Sequence, residues 1–289
     1  HIIDKTYNIF GVDVFSDIHL PLPSLNLKNN ISNPFYIKED RGLKFKGKDF
    51  LNVHKASFNK KSLLLTSIQD NTINYRNLGL CNKDDLGFKL LTHPMAFALF
   101  QNNNFIMHAS AVMIENKAVM FIGPSTSGKS STAASLLTNG NFITEDIARI
   151  VFEDQVKIFH GPPIIKLDKN FLLDEVDYIR SFEISADARS RKGYVLNKKI
   201  TKEAIPISAC FILKKSNNNK INEINSIQKF KSILFNSFCS IPRNSCEISE
   251  KNLYKKIELF IRDVPIYELE KKLDKENKFI KDFLEHKIC

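Results

Sequence analysis

The pattern of apolar and polar positions changes character near residue 90. Before that point, short segments alternate between apolar and polar residues, at 7–15, 43–50, 63–67 and 72–75. A period of two is typical of half-buried strands, and the proline-rich stretch 19–23 is typical of a turn. Helix signals are weak throughout. The pattern predicts a β-rich N-terminal domain over residues 1–90.

After residue 90 the chain alternates between strand and helix patterns. Thr92 suits the N-cap of a helix over residues 94–100, and Pro94 is tolerated in its first turn. Further strands are predicted at 105–114, 118–122, 142–144, 148–152, 156–159 and 205–213, with helices at 130–137 and 172–181. Residues 227–284 are mostly helical, with breaks near Pro242 and Pro265. This predicts an α/β domain over residues 91–289 with a helical C-terminal tail.

The segment GPSTSGKS, residues 123–130, has the spacing G-x-x-x-x-G-K-S. It follows the apolar strand AVMFI and precedes a predicted helix, which is the context of a phosphate-binding loop and not of a simple Gly/Ser turn. Glycines let backbone amides surround the phosphates, Lys129 supplies a cation, and the Ser130 hydroxyl can reach Mg²⁺. The motif predicts binding of ATP and Mg²⁺. The residues expected at the nucleotide are Gly123, Ser125, Thr126, Ser127, Gly128, Lys129, Ser130 and Ser131.

Two acids, Glu145 and Asp146, follow the predicted strand 142–144 directly. A kinase needs one carboxylate on Mg²⁺ and often a second that accepts the proton of the attacking hydroxyl. The alternative is an exposed acidic turn, but the position just after the P-loop helix favours the functional interpretation. His108 is either a buried core histidine or a group that orients an active-site carboxylate or the γ-phosphate.

The polar stretch 185–193 carries Arg189, Arg191 and Lys192. Cations on such a loop can close over a transferring phosphoryl group, although many such loops are only solvated. Arg149 and Lys166 are weaker candidates. Lys166 follows the turn at 161–163, which allows it to approach the site.

Composition adds limits to this interpretation. The 289 residues carry a net charge of +10, but the lysines are scattered and no nucleic-acid motif accompanies them. We see no apolar run long enough to span a membrane and no signal peptide. The five cysteines form no CxxC pair and no zinc spacing, which suits free thiols in a reducing cytoplasm. Cys210 lies in an apolar run and is expected in the core.

The segments HASAV (108–112), GPSTSGKSS (123–131) and FITEDI (142–147) together resemble the HPr kinase/phosphorylase superfamily. The chain is most similar to the HPr-kinase-related proteins of peptide-natural-product gene clusters. Weaker landmarks are YNIFGVDVFSDIHLPL (7–22), GPPIIKL (161–167) and VPIYEL (264–269), so the resemblance covers nearly the whole chain.

The resemblance implies an α/β P-loop kinase core of the HPr kinase and phosphoenolpyruvate carboxykinase type. It implies ATP, Mg²⁺ and a serine acceptor in a peptide or protein, such as a lasso-type precursor peptide. By position, Glu145 is the general base, Asp146 binds the metal with Ser130, and His108 supports the pair; the order of the two acids stays open. Glu145 stands where the family has aspartate, and the arginine-bearing signature of true HPr kinases is not evident, so HPr itself is not the expected acceptor.

Two alternatives remain: a kinase that acts on free serine or another metabolite, and a non-catalytic ATP-binding regulator. No nucleic-acid or membrane partner is expected. The resemblance implies a homo-oligomer, although the sequence shows no interface. We also expect the β-rich N-terminal domain to bind a leader peptide as an added edge strand.

Overall fold

The computed structural model describes residues 5–23, 33–44, 53–58, 61–80, 82–137, 141–169, 177–185, 187, 189–198, 200–238, 250–272 and 278–288. Their strands are β1 (Lys5–Ile9), β2 (Val12–Ser16), β3 (Phe35–Glu39), β4 (Val53–Phe58), β5 (Lys61–Gln69), β6 (Thr72–Asn77), β7 (Phe105–Met107), β8 (Ser110–Ile114), β9 (Lys117–Ile122), β10 (Phe142–Thr144), β11 (Ala148–Phe152), β12 (Val156–Ile158), β13 (Ile164–Leu167), β14 (Tyr178–Glu183), β15 (Lys192–Leu196), β16 (Ile205–Lys215), β17 (Lys220–Glu223) and β18 (Ile266–Lys271). Their helices are α1 (Lys83–Leu91), α2 (His93–Gln101), α3 (Lys129–Ser135), α4 (Ser226–Asn236), α5 (Glu250–Asp263) and α6 (Lys278–Ile288).

The first sheet contains the N-terminal strands in the order β1-β2-β3-β6-β5-β4. Strands β2, β3 and β6 run parallel to one another, and the other pairs are antiparallel. Helices α1 and α2 share one hydrophobic core with this sheet, and that core also contains Ile106, Ile147 and Phe238. The core of this first sheet, β1–β6, which we call the front sheet, therefore extends beyond residue 90. A domain division at that residue stays a prediction.

Helix α1 was not predicted, although its start carries a recognisable signal. The Asn82 side chain accepts hydrogen bonds from the amides of Asp84 and Asp85, and both aspartates lie in the first turn, where the helix dipole favours negative charge. The helix expected after Thr92 is present as α2. Its Thr92 side chain makes no capping bond there and instead donates to the carbonyl of Lys89 in α1.

The second sheet is the centre of the molecule. Its order is β10-β8-β9-β16-β12-β11-β7, and β18 pairs in parallel with β16 and antiparallel with β17. Alternate residues of β9 face opposite sides: Phe121 packs with α3 and α6, whereas Met120 packs with α4 and α5. Cys210 of β16 is buried on the α4–α5 side, which confirms it as a core residue. The sheet is thus covered on both faces, and the chain is a mixed α/β protein.

The third sheet is small and antiparallel, in the order β13-β15-β14. It contradicts the predicted helix at residues 172–181, because Tyr178–Glu183 pairs with β15 as a strand; residues 170–176 lie outside the described part. The predicted basic loop also ends earlier than expected, since Lys192 and Gly193 belong to β15.

Two further predictions need correction. The strand predicted at 105–114 is broken at His108 and Ala109 into β7 and β8, which pair with different neighbours. The C-terminal tail is not wholly helical, because β18 follows the break at Pro265 and is inserted beside β16. The segment predicted at 43–50 shows no strand at residues 43–44, and its remainder is outside the described residues.

Among the described helices, none has the length and apolar character needed to cross a membrane.

Gly161 gives a test of how tightly this fold supports β10. Its amide donates to the carbonyl of Ile143, and a Cβ at this position would overlap the side chain of Thr144. We expect Gly161→Ala to lower the free energy of unfolding by about 1–3 kcal/mol, as overpacking of a tight core does. Urea unfolding measures this. Gly42→Ala, in an exposed turn, is the control, and equal effects of the two changes would contradict the prediction.

Candidate active site

The loop between β9 and α3 has the backbone conformation that its glycines permit. Gly123 has φ of 143° and Gly128 has φ of 93°, a region that residues with a side chain rarely occupy. Thr126 also has a positive φ, 71°, which is uncommon for a β-branched residue and is typical of strained functional loops. The strand and the helix predicted on either side of the motif are both present, as β9 and α3, and the helix begins at Lys129.

Asn236, the last residue of α4, fixes the entrance to this loop. Its side-chain oxygen accepts a hydrogen bond from the amide of Gly123 at 3.0 Å. Its backbone carbonyl accepts one from the amide of His108 at 2.7 Å. One residue thereby holds the first amide of the loop and the break between β7 and β8, which the sequence analysis did not anticipate.

Lys129 is buried at the base of the loop. Its ammonium donates to the carbonyls of Gly123 at 2.8 Å and Pro124 at 3.1 Å. Burial lowers the pKa of Lys129, and the nearby carboxylates of Asp146 and Glu145 oppose that shift. The cation is therefore held inside the curve of the loop, where a phosphate group would meet it.

Glu145 is buried and touches two other elements. One carboxylate oxygen accepts a short hydrogen bond from the Ser130 hydroxyl of α3, and the other accepts from the amide of Lys166 in β13. Burial, and then the charge of Asp146, raises the pKa of Glu145 to about 7. The acid in contact with the P-loop serine is thus Glu145.

Asp146 lies in a tight turn and contacts Lys166 of β13. It has φ of 66°, and a hydrogen bond from the amide of Ile147 to the carbonyl of Glu145 closes the turn around it. Its carboxylate forms an ion pair with the ammonium of Lys166. Burial alone would raise the pKa of Asp146, but the charge of Lys166 and then of His108 outweighs it, and the pKa falls to about 2.

His108 supports this turn through the backbone. Its Nδ1 lies 2.9 Å from the carbonyl of Asp146, so Nδ1 carries the proton and donates. Burial lowers the pKa of His108, which favours the neutral ring near pH 7. His108 therefore orients the backbone of Asp146.

The two arginines of the basic loop have different partners. Arg189 donates to the Ser125 hydroxyl at the rim of the P-loop, at 2.8 Å. Arg191 forms an ion pair with Asp187 at 2.7 Å. Arg149, by contrast, lies away from the site and donates to Asn104 and to the carbonyl of Phe10.

A cavity of about 480 Å³ lies beside the acidic turn. Asp146, Lys166 and Arg191 line it together with residues of the front sheet and of the α1–α2 corner. These further lining residues are Leu64, Thr66, Phe88, Lys89, Thr92, His93 and Pro94. The cavity thus connects the candidate chemistry to elements that precede residue 101.

The oxygen ligands near the P-loop fit Mg²⁺. The Ser130 hydroxyl and the Glu145 carboxylate are already in contact, and Mg²⁺ is typically bound by one or two carboxylates together with phosphate oxygens and waters. Across the described residues there is no group of three or more histidines, cysteines or acids that would hold a metal alone. Ser127 adds a buried hydroxyl that has no hydrogen-bond partner within the described chain. These donors fit a metal that arrives with a nucleotide.

Several site residues escaped the sequence analysis. Asn236, Thr66 and His93 come from distant elements and belong to no motif. Lys166, a weaker candidate, contacts both acids through its amide and its ammonium. The only local signal for it is a single lysine in the otherwise apolar strand 164–167.

The raised pKa of Glu145 predicts a pH-dependent stability difference from Glu145→Gln. The folded state keeps the proton of Glu145 up to about pH 7, whereas the usual pKa of a glutamate is 4.5. Between these pH values the folded state therefore binds more protons than the unfolded state. The free energy of unfolding of the wild type should therefore fall relative to Glu145→Gln as the pH rises from about 4.5 to 7. Urea unfolding with EDTA present measures it, with Glu203→Gln as control. A gap that does not change with pH would contradict the burial of this charge.

No protein-family model matches the sequence, and no curated protein matches it. Among solved structures, the chain has a limited likeness to the Hpr(Ser) kinase/phosphatase from Coxiella burnetii. That likeness covers 63% of this chain and 94% of the other, with 10% sequence identity and a TM-score of 0.32. The assignment of roles at the site rests on its own geometry.

Proposed function

We propose that this protein is a kinase that uses ATP and Mg²⁺ to phosphorylate a serine hydroxyl of a peptide or protein. The observation that supports this most directly is the division between the two adjacent acids. Glu145 contacts the P-loop serine, whereas Asp146 lines the cavity beside it. A nucleotide side and an acceptor side thus meet at one turn.

In this proposal the P-loop holds the phosphates. The amides at the start of α3 have no acceptors within the helix and can bind phosphate oxygens, and Lys129 supplies the cation. Ser130 and Glu145 hold Mg²⁺, which neutralises charge on the phosphates. These roles are the reverse of those that the family resemblance implies, in which Glu145 is the base and Asp146 binds the metal. Ser125, Thr126, Ser127 and Ser131 complete the loop around the nucleotide.

Asp146 is the proposed base on the acceptor side. It accepts the proton of the serine hydroxyl while the serine oxygen bonds to the γ-phosphorus. The bond from that phosphorus to the bridging oxygen breaks, and ADP leaves with the electron pair. Lys166 can shift from Asp146 towards the transferred group, which would free the carboxylate and raise its pKa. Arg189 and Arg191 add positive charge at the two sides of the site.

The acceptor implied by the family resemblance is a ribosomal precursor peptide of the lasso type. A kinase of free serine and a non-catalytic ATP-binding regulator remain the alternatives. A pure nucleotide switch needs no base, so the position of Asp146 in the cavity argues against the regulator. Reaction in a reducing cytoplasm and assembly into a homo-oligomer stay predictions.

The first prediction concerns Lys129→Ala. We expect it to reduce phosphoryl transfer by about 10²–10³-fold, because a preorganised charge at the transferred group is lost. Mass spectrometry of serine-bearing precursor peptides, HPr and free serine, each incubated with ATP and Mg²⁺, measures the product. The control is Lys117→Ala, which changes an exposed lysine at the start of β9, the strand that precedes the loop.

The outcomes separate the alternatives. A phosphorylated peptide made by the wild type and by Lys117→Ala, but not by Lys129→Ala, is the expected result. If free serine is the only acceptor that becomes phosphorylated, the protein is a metabolic kinase of free serine. Nucleotide binding without any modified acceptor would favour the regulator and defeat the kinase proposal.

The second prediction separates the roles of the two acids. Glu145→Gln should raise the Mg²⁺ concentration needed for half-maximal activity at least about tenfold, the size of loss seen when even outer partners of a metal are removed. Asp146→Asn should lower kcat by about 10²–10⁴-fold and leave the Mg²⁺ requirement unchanged, because it removes only the base. Mg²⁺ titrations of the two variants measure both quantities. The opposite pattern would restore Glu145 as the base and Asp146 as the metal ligand.

A further inference from the structure

Asp187 is bonded to three later residues of the loop between β14 and β15. One carboxylate oxygen accepts a hydrogen bond from the amide of Arg189 at 3.0 Å, and the other accepts one from Nε of Arg191 at 2.7 Å. The backbone carbonyl of Asp187 accepts from the amide of Ser190, which has a left-handed φ of 51°. The Asp187 side chain is only 7% exposed. A single buried carboxylate thereby fixes the backbone of Arg189 and the side chain of Arg191.

Two arginine–aspartate pairs near the third sheet use the guanidinium group differently. Arg180 of β14 donates from Nε and from a terminal nitrogen to both oxygens of Asp84. Arg191 donates to Asp187 from Nε alone, while the second oxygen of that carboxylate accepts from the amide of Arg189. The terminal nitrogens of Arg191 make no hydrogen bond to any residue that the structure describes. They are not fully enclosed by protein, so a ligand can reach them.

Arg191 lies where the proposed reaction needs a cation, because it lines the same cavity as Asp146. Burial opposes the charge of Arg191, but the ion pair with Asp187 outweighs burial, and the pKa of Arg191 is raised. The carboxylates of Asp146 and Glu145 add to this effect, so both acids lie within electrostatic range of the guanidinium. Arg189 reaches the rim of the P-loop instead. One carboxylate thus sets one cation on the nucleotide side and another on the acceptor side.

We propose that Asp187 is a positioning residue of the kinase site, which directs the terminal nitrogens of Arg191 to the oxygens of the phosphoryl group during transfer. This inference rests on the proposed function and adds to it a residue that acts only through another. A guanidinium held at Nε presents its two terminal nitrogens as a rigid fork, the geometry in which arginine binds phosphate oxygens. These oxygens carry the negative charge while the bond to ADP breaks and the bond to the serine oxygen forms. A fork that is already in place needs no reorganisation at that moment.

The test measures the binding of ADP that carries a fluorescent label on its ribose, in the presence of Mg²⁺, with and without aluminium fluoride. Aluminium fluoride takes the place of the phosphoryl group in transfer, so no acceptor is needed. In the wild type we expect it to tighten the binding of ADP about 10²-fold, as transition-state analogues do. Asp187→Asn should reduce this gain about tenfold or more, the effect of losing a charge-assisted hydrogen bond. It should bind ADP alone as the wild type does.

Further variants make this result specific. Arg191→Ala should lose the same gain, and adding Asp187→Asn to it should cause no further loss, because the carboxylate acts through the guanidinium. A purely structural effect of Asp187 would instead multiply with that of Arg191→Ala. Arg191→Lys keeps the charge but has neither Nε nor a fork, so it should also lose the gain, and it decides the question if Asp187→Asn does not fold. The matched control is Asp84→Asn, which breaks the pair with Arg180 outside the cavity lining and should keep the full gain.

The contrary results separate this inference from the kinase proposal. Equal gains in the wild type and Asp187→Asn, losses that multiply in the double variant, or a full gain in Arg191→Lys would overturn the inference. A wild type that binds ADP but shows no gain with aluminium fluoride would overturn it as well. If labelled ADP does not bind at all, the proposed nucleotide site fails, and the kinase fails with it. A gain that depends on Asp187 in a protein that phosphorylates no acceptor would defeat the kinase and leave the arrangement of the arginines standing.

Discussion

This site depends on the hydrogen bonds that the buried carboxylate of Glu145 accepts. A charge at this depth loses its water, and the protein replaces it with the Ser130 hydroxyl and the Lys166 amide. Those two partners belong to α3 and β13, so a single side chain joins the end of β10 to the helix after the P-loop and to the third sheet. Removing it would leave these two polar groups without their partner, although the three elements also share one hydrophobic core.

The turn at residues 145–147 explains why the two adjacent acids can have different roles. Asp146 has a left-handed conformation, and a hydrogen bond from the amide of Ile147 to the carbonyl of Glu145 closes the turn. The two carboxylates have different partners: Glu145 accepts from Ser130, and Asp146 pairs with the ammonium of Lys166. Their environments then differ: burial raises the pKa of Glu145, whereas at Asp146 the effect of burial is outweighed by the charges of Lys166 and His108, which lower the pKa. Neighbouring carboxyl groups whose pKa values are pushed apart in this way are typical of sites that divide acid, base and metal-binding roles.

The local parts of this site were predictable, and the parts that come from distant segments were not. The strand, loop and helix around Gly123 follow from spacing and chain context within about fifteen residues, and so does the position of Glu145 and Asp146. Thr66 and Asn236 reach the site only through sheet order and helix packing, which no local pattern encodes. The erroneous helix at residues 178–181 has the same origin, because pairing with β15 overrides local preference. Strand β18 was missed because it stands between two helical segments, and its partner β16 lies about fifty residues earlier.

The hydrogen bond from Gly123 to Asn236 spans 113 residues of sequence. Strand β9 also pairs in parallel with β16, which begins at Ile205. During synthesis, a chain that ends before these residues contains the complete G-x-x-x-x-G-K-S motif and β8, but has neither β16 nor the acceptor for the first loop amide. The proposed nucleotide site can therefore form only at a late stage of synthesis, well after the ribosome has read the motif at residues 123–130.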